Sequence, residues 1–398
     1  MFKAKRVLAL LVILALVVSF SAGCGKTEEK KTTGDQPKQE TKKEPDVIKI
    51  AVIAPLTGNV ATFGQSTKNA VELLVKETNA KGGINGKQIK VVYEDDKNDP
   101  VEGANAAQKV ITQDKVVAII GSVASKVSLA IAPITQQNKI PQISPTSTND
   151  KLTLQGDFIS RACFKDSFQG YVMAKFDFNT LKAKKAAVLF DVGNDYSKGL
   201  AESFKANFEK LGGKVVAWES YSKDDQDFNA QLTKISGEGP DVLFVPDYYD
   251  KVGIIAKQAK AKGIKAPITG GDGFDSDDLV KIGGSAVEGV YFSNHYSPEA
   301  KNPVATAFID AYKKEYKTAN APDALAALAY DAGLMLFDAI KKAGSADPVK
   351  IKDAINATKD LQAVSGKISL DKDRNPIKPA VIITIKNGKQ AYVEQVNP

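Results

Sequence analysis

An α/β fold of two doubly wound parallel-sheet domains is expected from three observations. β-type and helical runs come in strict turn from Val47, which means a parallel sheet covered on both faces; the same alternation restarts after Asp166; and the last hundred residues hold too few elements for a third domain. The first unit reads in order. "VIKIAVIAPL" (47–56) is a strand, and 64–80 is a helix with Ala70, Leu73, Leu74 and Glu77 at helical spacing. The glycines of "KGGING" stop that helix, and "KQIKVVYEDD" (87–96) alternates as a strand does. A helix around 103–113, the strand "VVAIIG" (116–121), a helix at 126–138 and a strand ending at Ile143 complete the unit.

The second unit repeats the grammar: strand 185–191, helix 197–211, strand 214–221, helix 228–237, strand 241–247, helix 251–262 and strand 267–272. The remaining chain holds a long helix from Ala324 to Ala343, another near 349–357, and strand-like stretches at 366–370 and 380–386. These are too few for a third domain, so they are expected to complete the first two.

The beginning of the chain has a different character. Lys3, Lys5 and Arg6 precede an unbroken apolar run from Val7 to Val18, which is the pattern of a signal peptide and falls short of a membrane span. Ser21-Ala22-Gly23-Cys24 follows, and this tetrapeptide resembles the bacterial lipobox. That resemblance implies cleavage after residue 23 and lipidation of Cys24, with no redox role for its thiol. Residues 25–46 carry six lysines and six acids with almost no apolar side chain, the composition of a disordered tether. Cys163 is the one remaining cysteine, so no internal disulfide is expected.

Charge argues against nucleic acid. The formal +7 falls to +4 once the three basic residues of the leader are removed, and the excess is spread over lysine-bearing helices rather than gathered into a stripe.

In open parallel sheets ligands sit at the carboxyl ends of the strands. Six loops occupy those ends here: "PLTGNVATFG", "GSVAS", "SPTST", "DVGNDYS", "PDYYD" and "GGDGFD". Catalysis is a poor use for them. The chain has a single histidine, His295, with no nucleophile-elbow signature near it, and a surface or hinge position is expected for that residue. One histidine and one unmodified cysteine make no zinc cluster. "DKDRNP" (371–376) has Pro376 where a calcium loop needs glycine and is read as a turn, and "GGDG" lacks the lysine of a phosphate loop. No catalytic residue, metal or cofactor is therefore assigned.

Binding suits the loops better. Ser125 and Thr148, near strand ends that lead into helices, are neutral donors for a carboxylate. Asp272 in its glycine-rich turn offers a countercharge to an ammonium group, and Phe63, Tyr196, Tyr248 and Tyr249 supply an aromatic wall. Together they describe a zwitterionic amino acid. Chemistry alone leaves each residue a second reading: Ser125 and Thr148 as helix caps, Asp272 as a turn former, the tyrosines as core.

The segments "IAVIAPLTGNVATFG", "NAKGGINGKQIKVVYEDDKNDP", "IIGSVASKVSLAIAP", "IPQISPTSTN", "DSFQG", "AKQAKAKGIKAPITGGDGFDS" and "ALAYDA", in this order and spacing, resemble the leucine/isoleucine/valine-binding proteins of ATP-driven amino-acid importers. The resemblance spans Val47 to about Ile385. It implies the type I periplasmic binding protein fold, with three hinge crossings near 166, 295 and 370. The implied division is 1–23 leader, 24–46 lipidated cysteine and tether, 47–166 plus 296–370 as domain 1, and 167–295 plus 371–398 as domain 2.

Position by position, the resemblance makes Ser125 and the Thr146 backbone carboxylate contacts, Thr148 a contact to carboxylate and ammonium, and Asp272 the acid facing the ammonium. Tyr196 and one of Tyr248 or Tyr249 become wall residues. Phe63 stands where tyrosine is frequent, and Leu325 falls near a position that is aromatic in some members. The implied protein is a monomeric binding lipoprotein on the outer face of the bacterial cell membrane, delivering an amino acid to the permease and ATPase subunits of an ABC importer. Two other classes of reading stand beside it: a binding protein for a different small amine or acid, and a sensor ectodomain.

Overall fold

The computed structural model describes residues 47–299 and 302–398, so the leader, Cys24 and the tether lie outside the described residues. The first sheet holds β1 (Val47–Ala54), β2 (Gln88–Asp95), β3 (Ile119–Gly121), β4 (Gln142–Ser144) and β5 (Ile159–Arg161), all parallel, in the order β2-β1-β3-β4-β5. Between them run α1 (Ala61–Ala80), α2 (Pro100–Thr112) and α3 (Ser125–Asn138). The interior strands β3 and β4 and the edge strand β5 are wholly buried; β3 is apolar, while β4 and β5 carry the buried polar side chains Gln142, Ser144, Ser160 and Arg161. α2 starts where the Asp99 side chain accepts the Val101 and Glu102 N–H groups and Pro100 occupies the first turn.

The chain then passes into α4 (Asp166–Asn179), β6 (Lys185–Asp191), α5 (Asp195–Lys210), β7 (Lys214–Tyr221), α6 (Asn229–Glu238), β8 (Val242–Phe244), α7 (Tyr249–Ala261), β9 (Ile268–Gly270), α8 (Asp277–Gly283) and β10 (Tyr291–Asn294). Next come α9 (Pro303–Tyr316), α10 (Ala324–Ala343), α11 (Pro348–Asn356), the short antiparallel pair β11 (Leu361–Ala363) and β12 (Gly366–Ile368), and finally β13 (Ala380–Lys386) and β14 (Lys389–Val396).

The second sheet has the order β14-β13-β10-β9-β8-β6-β7. Five of its strands are parallel, but β13 pairs antiparallel with β10, and β14 antiparallel with β13. The second sheet is thus parallel over five strands and carries an antiparallel hairpin at one edge. A hairpin needs only a tight turn, here Asn387-Gly388 with both φ positive, so the chain end adds two strands without a crossover helix. The expected strand at 366–370 likewise ends at Ile368 and belongs to its own small hairpin rather than to either large sheet.

α10 returns to the first sheet and packs on α1. The helices come close at Gly333, where an added Cβ would lie 2.5 Å from the Leu74 side chain. The N-terminus of α10 has two caps: the Asp323 carboxylate accepts the Ala326 N–H at 2.8 Å, and Asp275, on the loop after β9 of the second sheet, accepts the Ala324 N–H at 2.8 Å. Three segments connect the sheets, between β5 and α4, between β10 and α9, and between β12 and β13.

Candidate functional site

Parallel strands end on one side of their sheet, and here the two sets of ends face each other. A cavity lies between them, lined by Phe63, Val123, Ser125, Thr146, Tyr196, Tyr248, Asp272, Gly273 and Leu325. Each of the six loops singled out from the sequence contributes at least one of these residues. Leu325 enters from α10, a part of the chain that periodicity alone does not connect with the site. Val123 and Gly273 were not singled out from the sequence and are brought in by their neighbours.

On the first-sheet side, α3 begins at Ser125, one residue earlier than the expected start at 126. Ala124 holds the cap position and makes no side-chain cap bond, so Ser125 is not a helix cap. Its Oγ accepts the Asn149 N–H at 3.3 Å. Thr146 donates its hydroxyl to the Val123 carbonyl at 2.9 Å, which ties the two loops together. Thr148 is fully buried and stands outside the cavity lining; its carbonyl accepts the Asp166 N–H at 2.9 Å, and no helix begins after it. Thr148 is therefore not a helix cap, and it stands behind the residues that line the cavity.

Ser147, between them, shares a 2.6 Å hydrogen bond with Ser128, and its carbonyl accepts the Arg161 guanidinium at 2.8 Å. Arg161 also donates to the Asn149 carbonyl at 2.7 Å. This side chain is fully buried, and it ties two carbonyls of the loop to the core, beside the Leu152 N–H on Asn149 and the Cys163 thiol on Ser147. A single arginine in the run "FISRACF" gives no sequence signal for that task.

On the second-sheet side, Asp272 is buried at the start of a short 3-10 turn spanning Asp272–Phe274. Its Oδ1 accepts the Tyr196 hydroxyl at 2.9 Å, and its Oδ2 lies 2.9 Å from His295 Nε2. The same Tyr196 hydroxyl accepts the Gly273 N–H at 3.1 Å. "GGDG" is therefore a packing motif: a Cβ at Gly271 would lie 2.5 Å from Tyr196 Oη, and one at Gly273 2.6 Å from the Asp247 carbonyl oxygen. His295 is buried, so of the two positions expected for it the surface one is excluded, and it stands at the start of the segment that connects β10 with α9. Burial pushes its pKa down to about 4, so the imidazole is neutral at neutral pH. The partners within hydrogen-bond reach of the Asp272 side chain are thus uncharged.

The aromatic wall is layered. Tyr196 and Tyr248 stack with ring centroids 5.3 Å apart and planes within 3°. Phe63 approaches from the first-sheet side, edge-on to Tyr248 at 5.8 Å and to Tyr249 at 5.1 Å. Tyr248 lines the cavity, whereas Tyr249, the first residue of α7, stands behind Phe63 and donates its hydroxyl to the Asn59 carbonyl at 3.1 Å. Asp247 orders this corner by accepting the Tyr248 N–H at 2.7 Å and the Tyr221 hydroxyl; burial raises its pKa to about 7. Further bonds join the two sides, from Asn59 to Asp250 at 2.8 Å, between Thr62 and Ser276 at 3.1 Å, and from Asn149 to the Asp195 carbonyl at 2.8 Å. Among the described residues no group of three or more His, Cys, Asp or Glu side chains is placed to hold a metal ion.

A buried acid with neutral partners, a helix N-terminus opposite it and an aromatic and aliphatic wall between make a site for binding a small solute. Residues 47–390 match the periplasmic binding protein family, and the chain belongs to it; the family's fold is one of solute-binding proteins rather than enzymes. Among relatives, Leu/Ile/Val-binding protein homolog 2 of Brucella abortus is 35% identical over 346 residues, covering 86% of this chain and 91% of the relative. Among solved structures, the leucine-binding protein LivK of Thermotoga maritima has 42% identity and a TM-score of 0.85, covering 88% of this chain and 99% of that one. The branched-chain amino-acid transporter substrate-binding protein LivJ of Streptococcus pneumoniae, in complex with isoleucine, has 37% identity and a TM-score of 0.84, covering 89% and 100%.

Proposed function

We propose that the protein captures an amino acid with a branched aliphatic side chain between its two lobes and delivers it to an ABC importer. The observation that carries this reading is the buried Asp272 carboxylate with neutral partners facing a cavity whose far wall is the N-terminus of α3. An ammonium group supplies the charge that Asp272 lacks, and burying the pair is favourable only when both members are present. The ligand carboxylate takes the opposite end, at Ser125 and Thr146, where helix N–H groups and the positive end of the α3 dipole favour an anion. Phe63, Val123, Tyr248 and Leu325 surround the side chain and have no charged tip, which suits an aliphatic ligand. Tyr196 holds Asp272 in place, and Thr148 and Tyr249 act one layer behind, on the loop backbone and on Phe63.

The crossings near 166, 295 and 370 serve as hinges, dividing the body into 47–166 plus 296–370 and 167–295 plus 371–398. Cleavage after residue 23 and lipidation of Cys24 anchor a monomer to the outer face of the cell membrane through the 25–46 tether. Mass spectrometry of small molecules released on denaturing the purified protein tests the ligand class. Leucine, isoleucine or valine is expected; a released acid lacking an amine, together with no thermal stabilisation by any amino acid, would sink the proposal.

A further inference from the structure

His295 has no place in the binding scheme so far, yet its surroundings are specific. It follows β10 directly, its side chain is 1% exposed, and its ring lies over Phe164 with centroids 3.7 Å apart. Nε2 is 2.9 Å from Asp272 Oδ2, while Nδ1 is buried without a protein partner. A carboxylate oxygen only accepts, so the imidazole proton sits on Nε2. The ring then donates one hydrogen bond to Asp272 and, being neutral, leaves the carboxylate's charge to be met by something else. A lysine or arginine at this place would neutralise the acid and leave an amine nothing to pair with.

The ring is also held from behind by the connecting segments. Phe164 lies on the first, between β5 and α4, and His295 opens the second, between β10 and α9. Lys378, on the third, donates Nζ to the Ala162 carbonyl at 3.2 Å and to Ser365 Oγ at 2.7 Å. Lys378 thus spends its bonds on Ala162 and Ser365, with the Asp331 carboxylate nearby, and the side chains that hydrogen-bond the Asp272 carboxylate are a phenol and an imidazole.

We propose that His295 is a positioning residue that orients Asp272 through Nε2–H while leaving it unneutralised, and thereby makes the site select ligands bearing an amine over their des-amino counterparts. This rests on reading the cavity as an amino-acid site. The test is calorimetric titration of the protein with leucine and with isocaproate, its des-amino analogue, using wild type, His295→Phe and His295→Gln. Phenylalanine keeps a ring over Phe164 but loses the donor, and glutamine keeps an N–H donor at similar reach.

His295→Phe is expected to weaken leucine binding by about ten- to hundredfold, the loss of one hydrogen bond to a charged group, and to narrow the preference for leucine over isocaproate. His295→Gln is expected to recover most of both. Leucine binding by His295→Phe equal to wild type, or equal losses in the two variants, would overturn the inference. NMR of the imidazole nitrogens needs no variant, because the chain has one histidine. An Nε2–H tautomer whose signal moves on adding leucine is expected; an Nδ1–H tautomer, or a signal blind to saturating leucine, overturns the inference. Failure of wild type to bind any amino acid would overturn the cavity reading and this inference with it, whereas amino-acid binding indifferent to His295 overturns the inference alone.

Discussion

Asp272 is the residue on which ligand class turns. Its carboxylate is buried against a phenol and a neutral imidazole, so an incoming ammonium finds an uncompensated charge. Breaking a buried charge pair by removing one partner costs about 3–5 kcal/mol, so Asp272→Asn is expected to lower amino-acid affinity by at least about a hundredfold in calorimetric titration. The same substitution removes a buried charge from the empty protein, and its unliganded melting temperature is expected not to fall.

His295 gives a second expectation at this scale. Its pKa is depressed by burial from the ordinary value to about 4. Between about pH 6.5 and 4 the unfolded chain takes up a proton that the native state refuses, so stability falls as pH falls through that window. Urea unfolding midpoints should show this acid-side loss in wild type and a flatter profile in His295→Gln. Equal profiles would mean that the imidazole titrates as freely in the folded protein as in the unfolded one.

At the scale of elements, two loops owe their shape to residues that never touch the cavity. Arg161 donates to the carbonyls of Ser147 and Asn149 from within the core. Arg161→Leu fills the space but takes a charged donor from each carbonyl, leaving the Leu152 N–H on Asn149 and the Cys163 thiol on Ser147, and a loss of about 1.5–3 kcal/mol per bond is expected as a lower urea midpoint. Gly271 lies against the Tyr196 hydroxyl, so Gly271→Ala is expected to displace that ring and weaken amino-acid binding by at least about tenfold while the sheets stay intact. Unchanged affinity with an undisplaced Tyr196 would remove the packing argument for "GGDG".

The elements also show what a sequence discloses. Strands such as β1 and β3 were legible because burial on both faces leaves runs of apolar residues, "IAVIA" and "IIG". β14 was not, because its outer positions are exposed and polar, and "KQAYVEQV" then reads like any surface segment. α4 escaped notice because it is buried over much of its circumference and shows no amphipathic stripe. The six site loops were legible from their place at strand ends; the layering of Tyr248 before Tyr249, the entry of Leu325 and the bond from His295 to Asp272 depend on tertiary geometry that no local pattern encodes.

For the whole molecule, two sheets are joined by three segments and bridged at their rims, and the proposed capture of a solute requires that the body open and close. A bound amino acid at about a hundred times its dissociation constant is expected to add about 2.7 kcal/mol to stability, readable as a rise in melting temperature, and small-angle scattering should show the radius of gyration shrink on binding. Thermal stabilisation without compaction would separate binding from closure.

The double cap on α10 carries a consequence of its own. Asp323 belongs to the same chain segment as the helix, but Asp275 reaches the Ala324 N–H from the other sheet. In the proposed opening, that amide would lose its acceptor and face water, and closure would restore the cap next to Leu325 at the cavity. A single backbone proton thereby becomes a clock for the cleft. Its exchange with deuterium should slow on adding ligand while the Ala326 amide, capped from within, keeps its own pace.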